Sequence, residues 1–244
     1  MKELFTYMFK MDNFLKNLGI LYIYIFLAIL FGTLAASYSP INMFGEVSPL
    51  FIIFLILAIF FIPLPLGYAI ASIKNNVNNV NQFPEMSIKK CYIDGIKILA
   101  SLLILVALLV LIFFILGFVN GFFIHKNWTP LSFTVASFSI LILIVASFFL
   151  MASFYNFSKT GNILSFVKFP TIVNLINKNV NKYCKYFILF FLLTAFTLFI
   201  KSFLFYSFNF LGFLGLFFYT TLLSFCYLYV GLISTKIIAN SIEE

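Results

Sequence analysis

The stretch Gly67–Lys97, GYAIASIKNNVNNVNQFPEMSIKKCYIDGIK, sets the terms on which the rest of this sequence can fold. Dense in Asn and Lys, it parts two long apolar runs and carries Glu85 and Asp94 beside Lys74, Lys89, Lys90 and Lys97. Ile73, Val77 and Val80 are spaced by four and three, so a helix is expected to continue past the first apolar run with one apolar side. Asn81 and Gln82 end it. Pro84 then opens a new helix, with Glu85 in the first turn, where a carboxylate complements the helix dipole. Ile88, Cys91, Tyr92 and Ile96 fall on one face. Glu85–Lys89 and Lys90–Asp94 stand at the four-residue spacing of helical ion pairs. The expected structure is an amphipathic helix on a membrane surface, feeding an apolar span at Ile96.

On either side of that stretch the solvent has to be lipid. The chain is 64% hydrophobic and 9% charged, with a mean hydropathy of +1.13, proportions that a water-soluble core could not conceal. The net charge of +8 rests on Lys alone, since the sequence has no Arg. Without the bidentate guanidinium, sequence-specific reading of nucleic acid is not expected, and lysines between apolar runs suit a membrane surface instead. Cys91, Cys184 and Cys226 form no CxxC pair and there is one His, so we read free thiols, no metal site and no cofactor. The 37 Phe accompany Lys, Asn and Ile, all with A/T-rich codons, so base composition accounts for the aromatic excess.

Six apolar runs approach the ~20 residues that cross a hydrocarbon core. They cover about 17–37, 50–72, 96–119, 131–153, 186–205 and 210–233. The chain is therefore expected to be all-α: a single domain over 1–244, forming an integral membrane bundle of six transmembrane helices. Amphipathic interfacial helices are expected before spans 1, 3 and 5. Before span 1, Lys2, Lys10 and Lys16 alternate with Leu4, Phe5, Met8 and Leu15. Thr33-Leu34-Ala35 looks like a signal cleavage site, but the run before it exceeds the roughly 7–15 residues of a signal core, so a retained span is expected. Pro63 and Pro65, in FIPLPLGY, remove backbone donors and should kink the second span. That kink is either a packing feature or, as in transporters, a broken helix at a binding site, with a polar cavity beside Gly67 and Tyr68.

A second amphipathic helix is expected after Phe169-Pro170. Ile172, Ile176, Val180, Tyr183 and Phe187 take one face, and Asn174, Asn177, Lys178, Asn181, Lys182 and Lys185 the other. With no acid among them, this face should contact anionic headgroups at about 1 kcal/mol per Lys. Lys89, Lys90, Lys178, Lys182 and Lys185 are the candidate headgroup contacts, and membrane lipids the expected partners; a homo-oligomer or other membrane proteins are further possibilities. Of the fifteen lysines, Lys126 and Lys201 alone fall outside the N-terminal segment, the tail and the two long polar regions. By the positive-inside rule both termini then face the cytoplasm of a cell-membrane protein. MDNFLKNLGILYI, PEMSIKKCYIDGIKIL and NLINKNVNKYCKYFIL, each with lysines ahead of an apolar run, suggest a threefold hairpin repeat that positive-inside selection alone could also produce. Asn127-Trp128-Thr129 matches a glycosylation acceptor, weakened by Pro130.

The apolar runs offer no ionisable group at mid-membrane depth, and Lys201 is close enough to a span end to snorkel. No HExxH, GxSxG or phosphate-loop motif occurs, so catalysis is not expected. The leading expectation is a membrane scaffold or lipid-interacting module; the rival is a transporter or channel for a small solute.

Gly67-Tyr68, then Lys74-Asn75, the Asn-rich spacer, Pro84-Glu85 and Asp94-Gly95-Ile96-Lys97 resemble the core motif of domain-of-unknown-function family 4013. Lys74 stands where that pattern has Arg, and Phe83 where it has Leu. The stretch Tyr7 to Leu18 is similar to the family's opening. The resemblance implies a multi-spanning membrane protein and brings no activity with it.

Overall fold

The computed structural model describes residues 14–38, 48–78, 87–178, 180–208 and 212–242. Every regular element among them is helical. In chain order these are α1 (Phe14–Ser37), α2 (Pro49–Phe61), α3 (Pro63–Val77), α4 (Ile88–His125) and α5 (Thr129–Thr160). A 3-10 turn (Ile163–Phe166), α6 (Phe169–Lys178), α7 (Val180–Phe208) and α8 (Gly212–Ser241) follow. Six helical stretches are long and apolar enough to cross a membrane, with α2 and α3 together forming the second.

The prolines interrupt that second stretch where they were expected to. Pro63 and Pro65 have no N–H, so α2 stops at Phe61 and α3 starts at Pro63. Ile62 between them keeps helical dihedrals, φ −66° and ψ −38°, and accepts from the Leu66 amide at 3.4 Å. The backbone thus stays helical while its hydrogen-bond ladder is broken. Beside the break, the Tyr92 hydroxyl of α4 donates to the Phe60 carbonyl at 3.0 Å.

The interfacial helices come out differently from one another. Ahead of the third span the amphipathic turns are not a separate element, because the backbone runs unbroken through α4 for 38 residues. No proline or glycine pair interrupts it, and a helix leaving lipid can keep its own hydrogen bonds. Ahead of the fifth span the ten-residue α6 is described over Phe169–Lys178, and α7 from Val180 onward. Pro84, Glu85, the Asn81-Gln82 helix end and the N-terminal amphipathic segment up to residue 13 lie outside the described residues.

One buried cluster joins the elements. It takes Leu21 from α1, Tyr68 and Ile73 from α3, Cys91 and Ile98 from α4, and Met151 and Tyr155 from α5. Ile172 and Ile176 of α6, Tyr183 of α7 and Ile237 of α8 complete it. These residues come from the start of α1, α4 and α7 and the end of α3, α5 and α8, so the helices alternate in direction and their core lies at one end. That end also carries Lys16, Lys74, Lys97, Lys159, Lys178 and Lys236. Toward the other end α4 keeps only a half-buried stripe, Leu105, Leu109, Phe113 and Leu116, and α4 and α5 are otherwise exposed: Phe114, Phe118 and Phe133 are 74%, 77% and 76% accessible. Such surface is stable only in an apolar solvent.

The tightest contact is between α3 and α4. A β-carbon on Gly67 would lie 1.7 Å from the Cys91 carbonyl oxygen, and one on Gly95 would lie 1.7 Å from that of Pro63. The two backbones touch where neither residue has a side chain. This contact corrects the face expected for the start of α4. Cys91, Gly95 and Ile98 are buried, whereas Ile88 and Ile96 are each 48% exposed. The packed face is centred on the glycine, since that is where α3 can approach. Asp94, expected to pair with Lys90, instead has Lys97 at 3.6 Å.

Gly67→Ala or Gly95→Ala should each cost about 1–3 kcal/mol of stability, as overpacking against a backbone that cannot yield does. Gly19→Ala, with nothing within 4 Å of its β-position, should cost nothing comparable. Thermal melting of the purified protein, followed by circular dichroism, checks the difference.

Candidate functional site

The motif residues separate into two groups. Gly67, Tyr68 and Gly95 are buried in the α3–α4 contact, while Lys74 is exposed, Asn75 half-buried, and Asp94 and Lys97 form an ion pair at the rim. The motif therefore reads as a packing device with a polar border. The structure brings Gly67 and Gly95 together and gathers no catalytic cluster around them.

At the same end, the headgroup candidates are presented outward. Lys89, Lys90, Lys178 and Lys185 are exposed and Lys182 is half-buried. The apolar residues beside them face the protein: Ile172, Ile176 and Tyr183 are buried and Phe187 half-buried. Val180, expected on that face, is 45% exposed. It is the first described residue of α7.

Tyr183 was read as one more apolar position, and it does more. Its hydroxyl accepts from the Ala152 amide at 3.1 Å and donates to the Phe148 carbonyl, both ends of one i, i+4 step of α5. A side chain of α7 is thereby locked into the ladder of a neighbouring helix. Nearby, Asn156 Nδ2 donates to the Ser165 carbonyl at 2.7 Å and Thr160 Oγ1 to Ser165 Oγ at 2.6 Å. These bonds tie the end of α5 to the turn that returns from Gly161, whose φ of 66° is left-handed. Lys159 lies 5.1 Å from the centroid of the Tyr155 ring, within cation–π range.

The feature least visible beforehand is a cavity of about 1230 Å³ bordered by α1, the α2–α3 junction, α7 and α8. Its closed end is the core, at Leu21, Tyr68 and Leu232. From there it follows α8 between Thr235 and Gly212, about 34 Å at 1.5 Å per residue. Tyr68 lines it, but Gly67 is turned to Cys91 and does not, and the lining is mainly apolar rather than polar. Three of the hydroxyls on its wall donate to their own helices, Thr33 to the Ile29 and Leu30 carbonyls, Ser37 to Thr33 and Thr235 to Leu232, and the phenols of Tyr68, Tyr219 and Tyr227 also line it. Lys201 is the lysine that reaches it. Gly32 and Gly231, also on the wall, have open space where a β-carbon would stand.

An all-helical chain with six helices apolar enough to span a membrane, packed at one end and hollow between α1 and α8, is the class of protein that fold and site define. The chain belongs to the family described as Protein of unknown function (DUF4013), whose family model matches residues 50–206. That range takes in the α3–α4 glycine contact and Lys201, and leaves out α1 and α8. Neither a curated protein nor a solved structure matches the chain. The N-terminal likeness at Tyr7 to Leu18 falls outside the matched range.

Tyr183→Phe should lower stability by about 1–2 kcal/mol, since it removes one hydroxyl bonded to two backbone groups. Tyr155→Phe serves as a control at a buried tyrosine of the neighbouring helix. Equal melting temperatures for wild type and Tyr183→Phe would show that the α5 ladder needs no support from α7.

Proposed function

We propose that this protein is a non-enzymatic, lipid-interacting module or scaffold of the cell membrane. Its six helices span the bilayer and its lysine-rich end, with both termini, faces the cytoplasm. The observation that supports this reading most is the partition of side chains around α6 and the start of α7. Ile172, Ile176 and Tyr183 turn into the protein, so Lys178, Lys182 and Lys185 are carried at its margin rather than against lipid tails. Lys89 and Lys90 on the first turn of α4 extend the same band. Lysines held near an anionic leaflet each gain about 1 kcal/mol, and a band of them gathers anionic lipid around the protein.

A transporter is the second reading, favoured by the cavity beside the broken α2–α3 helix. Its apolar lining suits a substrate with a hydrocarbon tail better than a small polar solute.

Reversing Lys178, Lys182 and Lys185 together to Glu should weaken selection for anionic lipid. The measurement is the association of spin-labelled anionic and zwitterionic phospholipids with the reconstituted protein. A clear fall in the anionic preference is expected, by at least the tenfold that about 1.4 kcal/mol represents. An unchanged preference rejects the reading.

A further inference from the structure

We infer that the cavity along α8 is a binding site for an anionic membrane lipid, with its acyl chains against α8 and its headgroup at Lys201. This goes beyond the lysine-band reading, because it places a lipid within the bundle and at the opposite end. The volume, about 1230 Å³, exceeds the roughly 300–1,000 Å³ of ordinary small-molecule sites, and it is drawn out along a helix rather than rounded. Its length matches the scale of the ~30 Å hydrocarbon core, so the space is shaped for chains lying parallel to the helices.

The wall chemistry selects the same occupant. Most of the wall is aliphatic, with Leu21, Ile25, Leu216 and Leu223 among the lining residues, and Thr33, Ser37 and Thr235 have given their hydroxyl hydrogens to their own helices; the phenols of Tyr68, Tyr219 and Tyr227 are its remaining hydroxyls. Hydrocarbon asks nothing of them. The charge is placed at one end. Lys201 stands seven residues before the end of α7, about 10 Å along the helix. Its neighbours Phe199, Phe203 and Phe205 are 68%, 61% and 50% exposed, an apolar collar around the cation. An ammonium that snorkels from this depth reaches the headgroup layer, where a lipid phosphate at that end of the cavity is its strongest partner.

The experiment uses the full chain reconstituted in mixed zwitterionic and anionic phospholipid vesicles. An anionic phospholipid with a photoactivatable acyl chain is cross-linked, and the adducts are mapped to peptides by mass spectrometry. Adducts are expected on the cavity walls of α1 and α8, in excess over the exposed stretches of α4 and α5 away from the core. Gly32→Phe with Gly231→Phe fills open space without touching backbone, and should remove the excess. Lys201→Gln should keep adducts from a zwitterionic analogue but lower the anionic preference at the same peptides by roughly tenfold, the scale of a charge-assisted hydrogen bond. If the doubly filled variant does not fold, Gly32→Leu alone and the Lys201→Gln arm carry the same decision. Adducts spread evenly over α4 and α5, adducts that survive filling, or an anionic preference untouched by Lys201→Gln would each overturn the proposal. So would protein–protein cross-links at the cavity walls, which would assign the space to a second copy. Reversal of Lys178, Lys182 and Lys185 should leave the cavity adducts in place, so the two readings can fail separately.

Discussion

Between two helices in lipid there is little hydrophobic force, because the surrounding tails are as apolar as the side chains. What holds such helices is close contact, and close contact requires small residues. In this protein that requirement is met where α3 crosses α4. Gly67 lies against the Cys91 carbonyl and Gly95 against that of Pro63, so each backbone fits into the notch left by the other's missing side chain. At such separations dispersion is at its strongest and Cα–H groups can approach carbonyl oxygens. The prolines belong to the same device. By breaking the ladder at Ile62 they start α3 at the residue whose carbonyl faces Gly95, and Tyr92 of α4 then bonds to Phe60 on the other side of the break.

The rest of the structure follows from having this contact at one end. Around it the ends of six helices close on a shared core, and Tyr183, bonded to both Phe148 and Ala152, draws α7 onto α5. Farther along, α1 and α8 meet through rings, Tyr22 against Phe225 at 4.5 Å and Phe26 against Phe217 at 6.0 Å, and not backbone to backbone; Gly32 and Gly231 have nothing within 4 Å of their β-positions. The packed end carries the lysines, and the far end carries bare phenylalanines and the mouth of a cavity. The asymmetry is physical: at the packed end backbone contact and hydrogen bonds add to side-chain packing, whereas between purely apolar helix faces in lipid only shape could hold helices together.

Much of this was legible in the residues and some was not. Six helical stretches, the break at Pro63 and Pro65 and the family itself could be read from run lengths, missing N–H groups and the Gly-Tyr and Asp-Gly pairs. Those signals are local. The face of α4 was misread because Ile88, Cys91, Tyr92 and Ile96 make a sound helical stripe on their own, yet the neighbour that decides burial meets the helix at Gly95. Periodicity weighs side chains, and a glycine has none to weigh. Asp94 likewise had two lysines within helical reach, Lys90 and Lys97, and spacing alone could not choose between them. A polar cavity was expected beside Gly67 and Tyr68; Tyr68 does line the cavity, but its wall is mainly apolar and comes largely from α1 and α8, helices at opposite ends of the chain whose facing cannot be read from either one alone.

Glycine shows why fold and site were unequally readable. Gly67 and Gly95 let two backbones touch, and Gly32 and Gly231 leave a wall indented where no backbone comes near. In the sequence all four are single glycines within helical stretches. The first pair sits in polar, motif-like company, so it stood out, although the polar neighbours are only the border of the contact. The second pair sits among Leu, Ile and Phe and could be taken for helix interior without consequence. In an interior helix, however, glycine costs up to about 1 kcal/mol relative to Ala, so each one calls for a reason. Where a close neighbour is found, packing is that reason. At Gly32 and Gly231 no neighbour is found, and what remains is the open volume beside α8.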